Sequence, residues 1–504
     1  MAKELYNGIY SSHKIVFIER VERNLGYYLK NKLEVIKKLG QEVFCIVRKD
    51  NLYEVLKELK YNPELEVQIL NGLSLFNSAG RDFLILNLSS ASNNFSIVLK
   101  VILSSFTDAE LEREYNELIS VIKKVFDSAQ FYEIRTGLRE DQVDISVKNQ
   151  ILNGLDGLDM YITAEHYKIG EVYIDTKVSK VTGDGFFKNA KLSTILTCIS
   201  RFDYNAGIFP ELCFCLAVEE LMQLKVPKRV QYIRMIMCEL FRISSHLHFI
   251  SNICKVLGCE IVYNQCLFER ERVLRIIEFI TGSRIHPNFI RIGGVRKDLN
   301  YDKIKNIREN LPVIFKRVNR LESLILDNSI ITAKLKDIGV VDKNTALELG
   351  VTGPNLRASG IKYDIRKNRN LLLYKDMSFL IVAGKYGDCL DRVQLRFREI
   401  FQSLKIIHQI INELPEEHIK KLINLDELYF PYSVMFSQVE CPHGVFRIYF
   451  EIKDNMILNM LIMGPSKNSL NLIEKTLSGH EIEELEIILA SFDISSGEII
   501  EAKR

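Results

Sequence analysis

The chain has 504 residues, 47% of them apolar, with 67 Lys and Arg against 65 Asp and Glu. That length predicts two or three domains, and the near-balanced charge excludes a global basic field, so no nucleic-acid partner is expected. The longest unbroken apolar run, Leu212 to Val218, falls far short of the roughly 20 residues that cross a bilayer. The opening Met1-Ala-Lys-Glu lacks the apolar core of a secretory signal. The expectation is a chain in a cytoplasm-like compartment that meets a membrane through a partner.

Taken in chain order, residues 1 to about 135 predict a small α+β unit. Helical patterns at Leu25–Leu39, Leu52–Leu59 and Asp108–Phe126 interleave with β-branched runs at Glu42–Val47, Phe83–Leu88 and Ser96–Leu103, which implies a sheet with helices on it. Residues 136–160 are the linker candidate, because from Arg139 to Leu158 the chain turns polar and loses its period. Residues 161–504 read as a mainly α-helical domain with peripheral β-strands, so the whole is α+β. Leu212–Leu224 is apolar nearly all round and belongs in an interior. Pro227 opens a second long helix running toward Gly258, on which Glu239, Arg242 and His246 share a face. A third covers Val262–Thr281 and stops at Gly282. Further helices cover Tyr301–Leu326 and Asp388–Glu413; Asp388 caps the last, Asp391 sits in its positive first turn, and Pro415 prevents continuation. After Phe430 the pattern alternates like strands, with turns at Pro442-His443-Gly444 and Lys453-Asp454-Asn455.

Three constellations could carry chemistry. The loop Gly282–Asp298 gathers Arg284, His286, Arg291 and Arg296 around Pro287 and the pair Gly293-Gly294. Adjacent glycines permit close backbone approach, and guanidiniums stabilise a nearby anionic group; a helix connection with solvated charges accounts for the same residues. Gly350–Lys367 brackets Arg357 between Gly353 and Gly360 and continues to Asp364 and Arg366. It is neither a Walker A loop nor a dinucleotide fingerprint, so NAD binding by this chain itself is not expected, and an Arg-pinned turn inside a core is the alternative. Ser200-Arg201-Phe202-Asp203-Tyr204 enters the buried helix; a tyrosine there can donate a proton or bond a carbonyl, or simply pack. Ten cysteines are scattered with no C-x-x-C pair, so reduced core thiols, and no metal, are expected.

The order of these segments carries a resemblance. Ala217-Val-Glu-Glu-Leu221, Glu239-Leu-Phe-Arg-Ile-Ser-Ser-His246, Gly282-Ser-Arg-Ile-His286 and Arg291-Ile-Gly-Gly-Val295 come first. Gly353-Pro-Asn-Leu-Arg-Ala-Ser-Gly360, Gly387-Asp-Cys-Leu-Asp-Arg392 with Gln402-Ser-Leu404, and Ser491-Phe-Asp-Ile-Ser-Ser-Gly-Glu498 follow. Together, over residues 160 to 504, they resemble the D-type large subunit of the complex I and energy-converting nickel-iron hydrogenase superfamily. Residues 1 to about 135 resemble the C-type accessory protein fused in front of it in some members, through Phe131-Tyr-Glu-Ile-Arg135.

The resemblance implies a hydrogenase-like large-subunit fold. Family hydrogenases hold nickel and iron with two C-x-x-C pairs, but this chain has Ser200 to Tyr204 and Asp493-Ile-Ser-Ser-Gly497 at those places. A soft metal pair then has no thiolate shell, and the complex I branch is implied, where the vacated cavity is a quinone site. Tyr204 corresponds to the tyrosine that bonds the quinone head group, with Asp203 beside it. Arg201, His286 and Arg284 correspond to residues near the terminal 4Fe-4S cluster of the neighbouring small subunit, while Arg357, Asp364, Asp388 and Arg392 shape the site. The family's His-Arg-Gly loop reads here Thr182-Gly-Asp-Gly-Phe186, and Val256 stands where its aspartate partner would fall. Implied next are membrane-embedded, ion-translocating subunits, other hydrophilic subunits that bring electrons from NADH, and a peripheral place on the cytoplasmic face of the inner membrane. Two other readings remain open: a ferredoxin-fed ion-pumping relative with another acceptor, and a non-catalytic scaffold that docks the cluster-bearing partner.

Overall fold

The structure is a computed structural model. It describes residues 25, 28–29, 32–39, 42–62, 65, 67, 69–78, 81–90, 95–102, 117–118, 120–122, 124–125, 145–146, 158–165, 168–176, 187–417, 419, 423 and 429–499. The chain divides into two compact units, residues 1–138 with 347–350, and residues 139–346 with 351–504.

In the first unit, β1 (Leu33–Leu39), β2 (Glu42–Arg48), β3 (Ile69–Ser78), β4 (Arg81–Ser90) and β5 (Phe95–Ile102) form one sheet of order β1-β2-β5-β4-β3. Strands β2 and β5 run parallel, with Cys45 opposite Leu99, and the other neighbours are antiparallel. Val43, Cys45 and Val47, Leu84, Leu86 and Leu88, and Ile97, Leu99 and Val101 join one core cluster, the two-residue period by which a strand sends alternate side chains to one face, while Phe44, Val98 and Lys100 between them are buried as well. Helix α1 (Leu52–Tyr61) adds Leu52, Val55, Leu56 and Leu59 to the same core, the stripe that a 3.6-residue period lays down.

The helical pattern at Leu25–Leu39 holds for its first part alone. Leu25 and Leu29 are helical and buried, but Leu33–Leu39 is strand β1, with Ile36 opposite Cys45. Helix preference differs among residues by about 0.5 kcal/mol each, less than a strand gains from a complete ladder and a packed neighbour. Strand β3 reads as a loop in the sequence because Asn71, Gly72, Ser74 and Asn77 interrupt it; a bulge at Leu70/Gly72 absorbs the irregularity. The segments Phe131–Arg135 and Thr182–Phe186, and all of 136–157 except 145–146, lie outside the described residues.

The second unit contains the hairpin β6 (Leu158–Glu165) and β7 (Lys168–Thr176), which the helical reading of residues 161 onward omits. Helix α2 (Leu192–Cys198) precedes α3 (Ile208–Leu221), which has no polar face and buries Phe209, Leu212, Phe214 and Val218 together with Glu211 and Glu219. Helix α4 (Lys228–Val256) begins directly after Pro227, whose carbonyl accepts the Gln231 N–H. Helix α5 (Glu260–Thr281) ends on Gly282 at φ 87°, the left-handed stop that glycine suits. With α6 (Tyr301–Leu326) and α7 (Cys389–Glu413) these form a packed bundle, α4 against α5 and α7, and α6 against α5 and α7. The antiparallel strands β8 (Ser433–Glu440), β9 (Val445–Lys453) and β10 (Met456–Met463) follow, with β8 and β9 packed on α3. Helices α8 (Ser466–Leu477) and α9 (Leu485–Phe492) close the unit. Among the described residues no helix is long and apolar enough to cross a membrane.

Asp388 caps α7: one oxygen accepts the Asp391 N–H at 2.8 Å and the other the Asp337 N–H at 2.9 Å. Arg392, one turn on, donates to the carbonyls of Gly387 (2.8 Å) and Gly339 (2.7 Å) and to the Ser491 hydroxyl (3.0 Å). Its guanidinium lies 4.5 Å over the Phe492 ring, so α7 holds the end of α9. Elsewhere two glycines meet back to back: a Cβ on Gly353, at φ 68°, would stand 2.3 Å from Gly444 Cα. Because neither backbone has room to yield, Gly353→Ala is expected to cost about 3 kcal/mol or more. A denaturant midpoint equal to the parent's would contradict that contact.

Candidate functional site

The loop after α5 is held in place by carboxylates of the buried helix α3. Glu211 Oε2 accepts the backbone N–H groups of Phe289 (2.8 Å) and Ile290 (3.1 Å), and Glu219 Oε1 accepts that of Gly293 (2.7 Å). Glu219 also pairs with Arg234 of α4, whose Nη2 donates to the carbonyls of Arg291 (2.8 Å) and Gly294 (3.1 Å). The Gly293-Gly294 pair thus serves a backbone hairpin between Ile290–Arg291 and Gly294–Val295. Arg291 bonds Asn288 at 2.8 Å. Arg284, expected near a partner's cluster, is drawn back onto α5 by Glu271 and by Glu278 at 3.0 Å.

Against this loop stands the turn before α3. Tyr204 is 55% exposed, and its ring meets the His286 ring edge-on with centroids 6.4 Å apart. Arg201 is exposed on the same turn. His286 is half-buried, and burial first, then the charge of Arg201, lowers its pKa, which favours a neutral imidazole at pH 7. A Cβ on Gly207 would sit 2.6 Å from the Ser200 carbonyl oxygen and 3.2 Å from His286 Nδ1, so a residue without a side chain is what lets turn and imidazole meet. Asp203, expected beside Tyr204 as a quinone contact, points the other way. It is fully buried; Oδ1 accepts the N–H groups of Asn205 (3.0 Å) and Ala206 (2.9 Å), and Oδ2 faces His443 Nδ1 at 3.8 Å. By capping its own turn, the carboxylate is locked inward.

Behind this surface, α4, α7, β8 and the short helices Gly353–Ala358 and Ile365–Asn368 meet in a buried lattice of charges. Arg357 donates to Glu399 Oε1 (2.9 Å), Glu440 Oε1 (2.6 Å) and the Tyr363 carbonyl (3.0 Å). Asp364 grips Arg366 at 2.7 Å, and Arg366 reaches Glu239 at 3.2 Å. Glu239 also accepts from the hydroxyls of Tyr374 (2.7 Å) and Ser403 (2.5 Å). Arg242 donates to the Glu440 carbonyl at 2.6 Å. Burial alone would raise the pKa of Glu399, but Arg357 holds it well below the usual carboxylate range; likewise Arg366 and Arg357 hold Asp364 at about 2. Burial pushes His246 down to about 4 in spite of Glu399. The imidazole is therefore neutral, and Nε2 donates to Glu399 (2.9 Å) while Nδ1 accepts from Arg396 (3.3 Å).

Arg396 carries the lattice onward. It donates to the Pro442 carbonyl (2.6 Å) and lies 3.1 Å from Asp493 Oδ2. His443 stands between carboxylates, with Nε2 3.6 Å from Asp493 Oδ2 and Nδ1 3.0 Å from Glu498 Oε1. Burial opposes charge on His443, yet Glu498 and Asp493 keep its pKa well above the usual histidine value, while burial raises Asp203 to about 6. Cys441 Sγ completes the group, 3.7 Å from Glu498 Oε1. The nickel-iron pair of family hydrogenases does not fit this set, which offers one thiol together with carboxylates and an imidazole where four thiolates are needed.

Sequence reasoning located the Tyr204 turn and His286, and placed Arg357, Asp364, Asp388 and Arg392, which the structure buries as braces. It missed Glu399, Arg396, Glu440, Cys441, His443 and the inward turn of Asp203. One local signal existed: Cys441-Pro442-His443 sets two ligand-type side chains one residue apart, but it reads first as a turn. Val256, where an aspartate was sought, is half-buried at the end of α4.

Known proteins share this architecture. Residues 257–427 match the family described as respiratory-chain NADH dehydrogenase, 49 Kd subunit. The chain is 37% identical over 308 residues to the D-type subunit of NADH-quinone oxidoreductase from Thermosipho melanesiensis, covering 60% of this chain and 82% of that one. Against the same subunit from Carboxydothermus hydrogenoformans it is 33% identical over 329 residues, 65% of this chain and 88% of the relative. A chain of the membrane-bound sulfane sulfur reductase, an archaeal respiratory membrane complex, superposes with a TM-score of 0.65 at 28% identity, over 69% of this chain and 95% of that one. The class is that of subunits of a multi-subunit respiratory oxidoreductase. Within it, this chain belongs to the family of the D-type subunit of NADH-quinone oxidoreductase, the 49 kDa subunit family of complex I.

Two stability predictions test this interior. Arg357→Met strands Glu399 and Glu440 without their shared guanidinium and is expected to cost about 3–5 kcal/mol; a loss under 1 kcal/mol, on the order of a surface ion pair, would show the lattice to be dispensable. Burial raises Glu211 from 4.5 to about 7, against the Ile290 and Phe289 amides. An acid whose folded pKa lies above its unfolded one weakens the fold as pH rises between the two values. Stability should fall by about 3 kcal/mol through this group between pH 4.5 and about 7, and Glu211→Gln, which keeps an accepting oxygen, should remove that decline. Urea midpoints across the window decide it, and equal slopes in both proteins would rule Glu211 out as the source.

Proposed function

We propose that this chain is the acceptor-side subunit of an NADH-quinone oxidoreductase-type complex. Electrons arrive singly from a 4Fe-4S cluster in the neighbouring small subunit, and a quinone takes up two of them with two protons to become a quinol. The observation that carries this reading is the exposed Tyr204 ring set edge-on to half-buried His286. A solvent-facing phenol can donate a hydrogen bond to a quinone carbonyl. His286 and Arg201 supply a hydrogen-bond donor and a positive charge toward a reduced cluster on a partner, while Arg284 is matched by Glu271 and Glu278 and brings no unpaired charge to it. Arg357, Asp364, Asp388 and Arg392 act as braces that hold α4, α7, α9 and the strands in one geometry.

The names of the relatives support an NADH-fed complex. In it, other hydrophilic subunits oxidise NADH, membrane-embedded subunits translocate ions, and this chain sits peripherally on the cytoplasmic face of the inner membrane. Residues 1–135 serve as the C-type accessory domain, joined through 136–160 to the hydrogenase-like domain 161–504; a contact boundary at residues 138/139 supports the first of these junctions, with residues 139–160 grouped with the second unit.

In the assembled complex, Tyr204→Phe is expected to lower quinone turnover about tenfold, the worth of one hydrogen bond, while reduction of the cluster by the donor stays unchanged. Equal turnover would remove Tyr204 from the mechanism. His286→Ala should shift the midpoint potential of that cluster and its pH dependence, and a redox titration superimposable on the parent's would end the tuning role. One observation favours a second acceptor class: a structural neighbour covered over 95% of its length belongs to a sulfane sulfur reductase. Turnover with polysulfide but none with quinone would replace quinone as the acceptor.

A further inference from the structure

The group behind the Tyr204 turn has no part in the electron path above, and its geometry is that of a ligand shell. Asp203, Cys441, His443 and Glu498 are all buried, and one donor atom from each lies within 4.8 Å of the others. Around a tetrahedral ion, bonds of about 2.0–2.1 Å to nitrogen and oxygen and about 2.3 Å to sulfur place donor atoms roughly 3.3–3.6 Å apart. The separations here are 3.0 Å from His443 Nδ1 to Glu498 Oε1, 3.7 Å from Cys441 Sγ to Glu498 Oε1, and 3.8 Å from His443 Nδ1 to Asp203 Oδ2. These three of the six separations depart from a tetrahedron edge by about half an ångström or less, and the others are at most 4.8 Å.

Both carboxylates are also set in advance. Asp203 spends Oδ1 on the Asn205 and Ala206 amides, and its buried Oδ2 has no hydrogen-bond partner among the described residues. Glu498 gives Oε2 to the N–H (3.2 Å) and hydroxyl of Ser466 at the start of α8, which leaves Oε1 facing Cys441 and His443. A bare carboxylate oxygen in a closed interior costs about 1–3 kcal/mol or more unless a cation or donor meets it. Outer contacts that fix ligand orientation are what metal sites use to hold their first shell.

We propose that Asp203, Cys441, His443 and Glu498 bind one divalent transition-metal ion of borderline softness, of the zinc, ferrous or cobaltous class. The mixed thiolate, imidazole and carboxylate set disfavours magnesium and calcium, which take oxygen ligands. A thiol ligates as the thiolate and an imidazole through a proton-free nitrogen, so uptake of the ion releases protons, and Asp493 stays paired with Arg396. With four buried protein ligands the ion has no open position. It acts as a clamp that joins the Asp203 turn, the β8–β9 turn and the segment after α9 directly beneath Tyr204. This assignment goes beyond the proposed electron path and does not depend on which acceptor is used.

The test is cobalt titration of the full chain after chelator treatment. One Co2+ per chain is expected, with a thiolate-to-cobalt charge-transfer band and the visible bands of tetrahedral cobalt, both displaced by one equivalent of Zn2+. Cys441→Ala should abolish the charge-transfer band and weaken binding at least tenfold. Asp203→Asn keeps the oxygen that caps its turn, and should weaken binding at least tenfold with the charge-transfer band retained at saturation. Absence of uptake by the parent chain, whatever the variants do, overturns the site. So does uptake whose spectrum and affinity are unchanged in either variant, because the ion would then be bound elsewhere.

Discussion

A guanidinium shut away from water must find its carboxylates inside the protein, and Arg357 is such a group, with no exposed surface. It finds Glu399 of α7 and Glu440 at the end of β8. One side chain on a short helix thereby sets the distance between the helical bundle and the three-stranded sheet. The turn that bears Cys441 and His443 follows Glu440 directly, so its place is inherited from that pair. Glu399 in turn orients His246, and Arg396, one helical turn earlier, meets the same imidazole and crosses to Pro442 and Asp493. Buried pairs of this kind add little net stability over an apolar core of equal volume. What they supply is a single allowed arrangement, because any other leaves a charge orphaned.

The turn from Ser200 to Tyr204 has two faces with different physics. Tyr204 looks outward beside His286, where a partner and a small acceptor could meet it. Asp203 looks inward to His443, Glu498 and, through His443, Asp493. The two are adjacent in sequence, and the peptide between them separates a wet surface from a dry interior. Electrostatic interactions are weakly screened on the dry side, so the buried acids and His443 must be matched to one another there. The loop that bears His286 is equally dependent on buried acids, since Glu211 and Glu219 hold its backbone and not its side chains.

Local signals were strong wherever one element explains itself. The helix at Tyr301–Leu326 begins and ends where its amphipathic period does, with Asn300 accepting the Lys303 N–H as cap. The cap of α7 at Asp388, the stop of α5 at Gly282 and the β8–β10 turns were readable for the same reason. Leu33–Leu39 misled because its leucine and isoleucine spacing fits a helix, while a strand partner at Glu42–Arg48 decided otherwise. Strand β3 and the β6–β7 hairpin were illegible because polar residues or a neighbouring polar stretch hide an alternation that pairing alone makes regular.

By itself the sequence determined the long helices from Leu212 to Glu413 and the turns of the last sheet, the order of the Glu, Arg and Gly motifs that mark the 49 kDa subunit family, and the loss of the thiolates a nickel-iron pair needs. These are statements about residues near one another in the chain or about their linear order. The tertiary structure decided which groups face each other: Tyr204 toward His286, Asp203 away from it, and His443 among carboxylates drawn from both ends of the domain. Such meetings depend on how a buried helix, a sheet and a C-terminal segment satisfy their charges together. That is a property of the closed interior, where each polar group must be matched, and no window of sequence contains it.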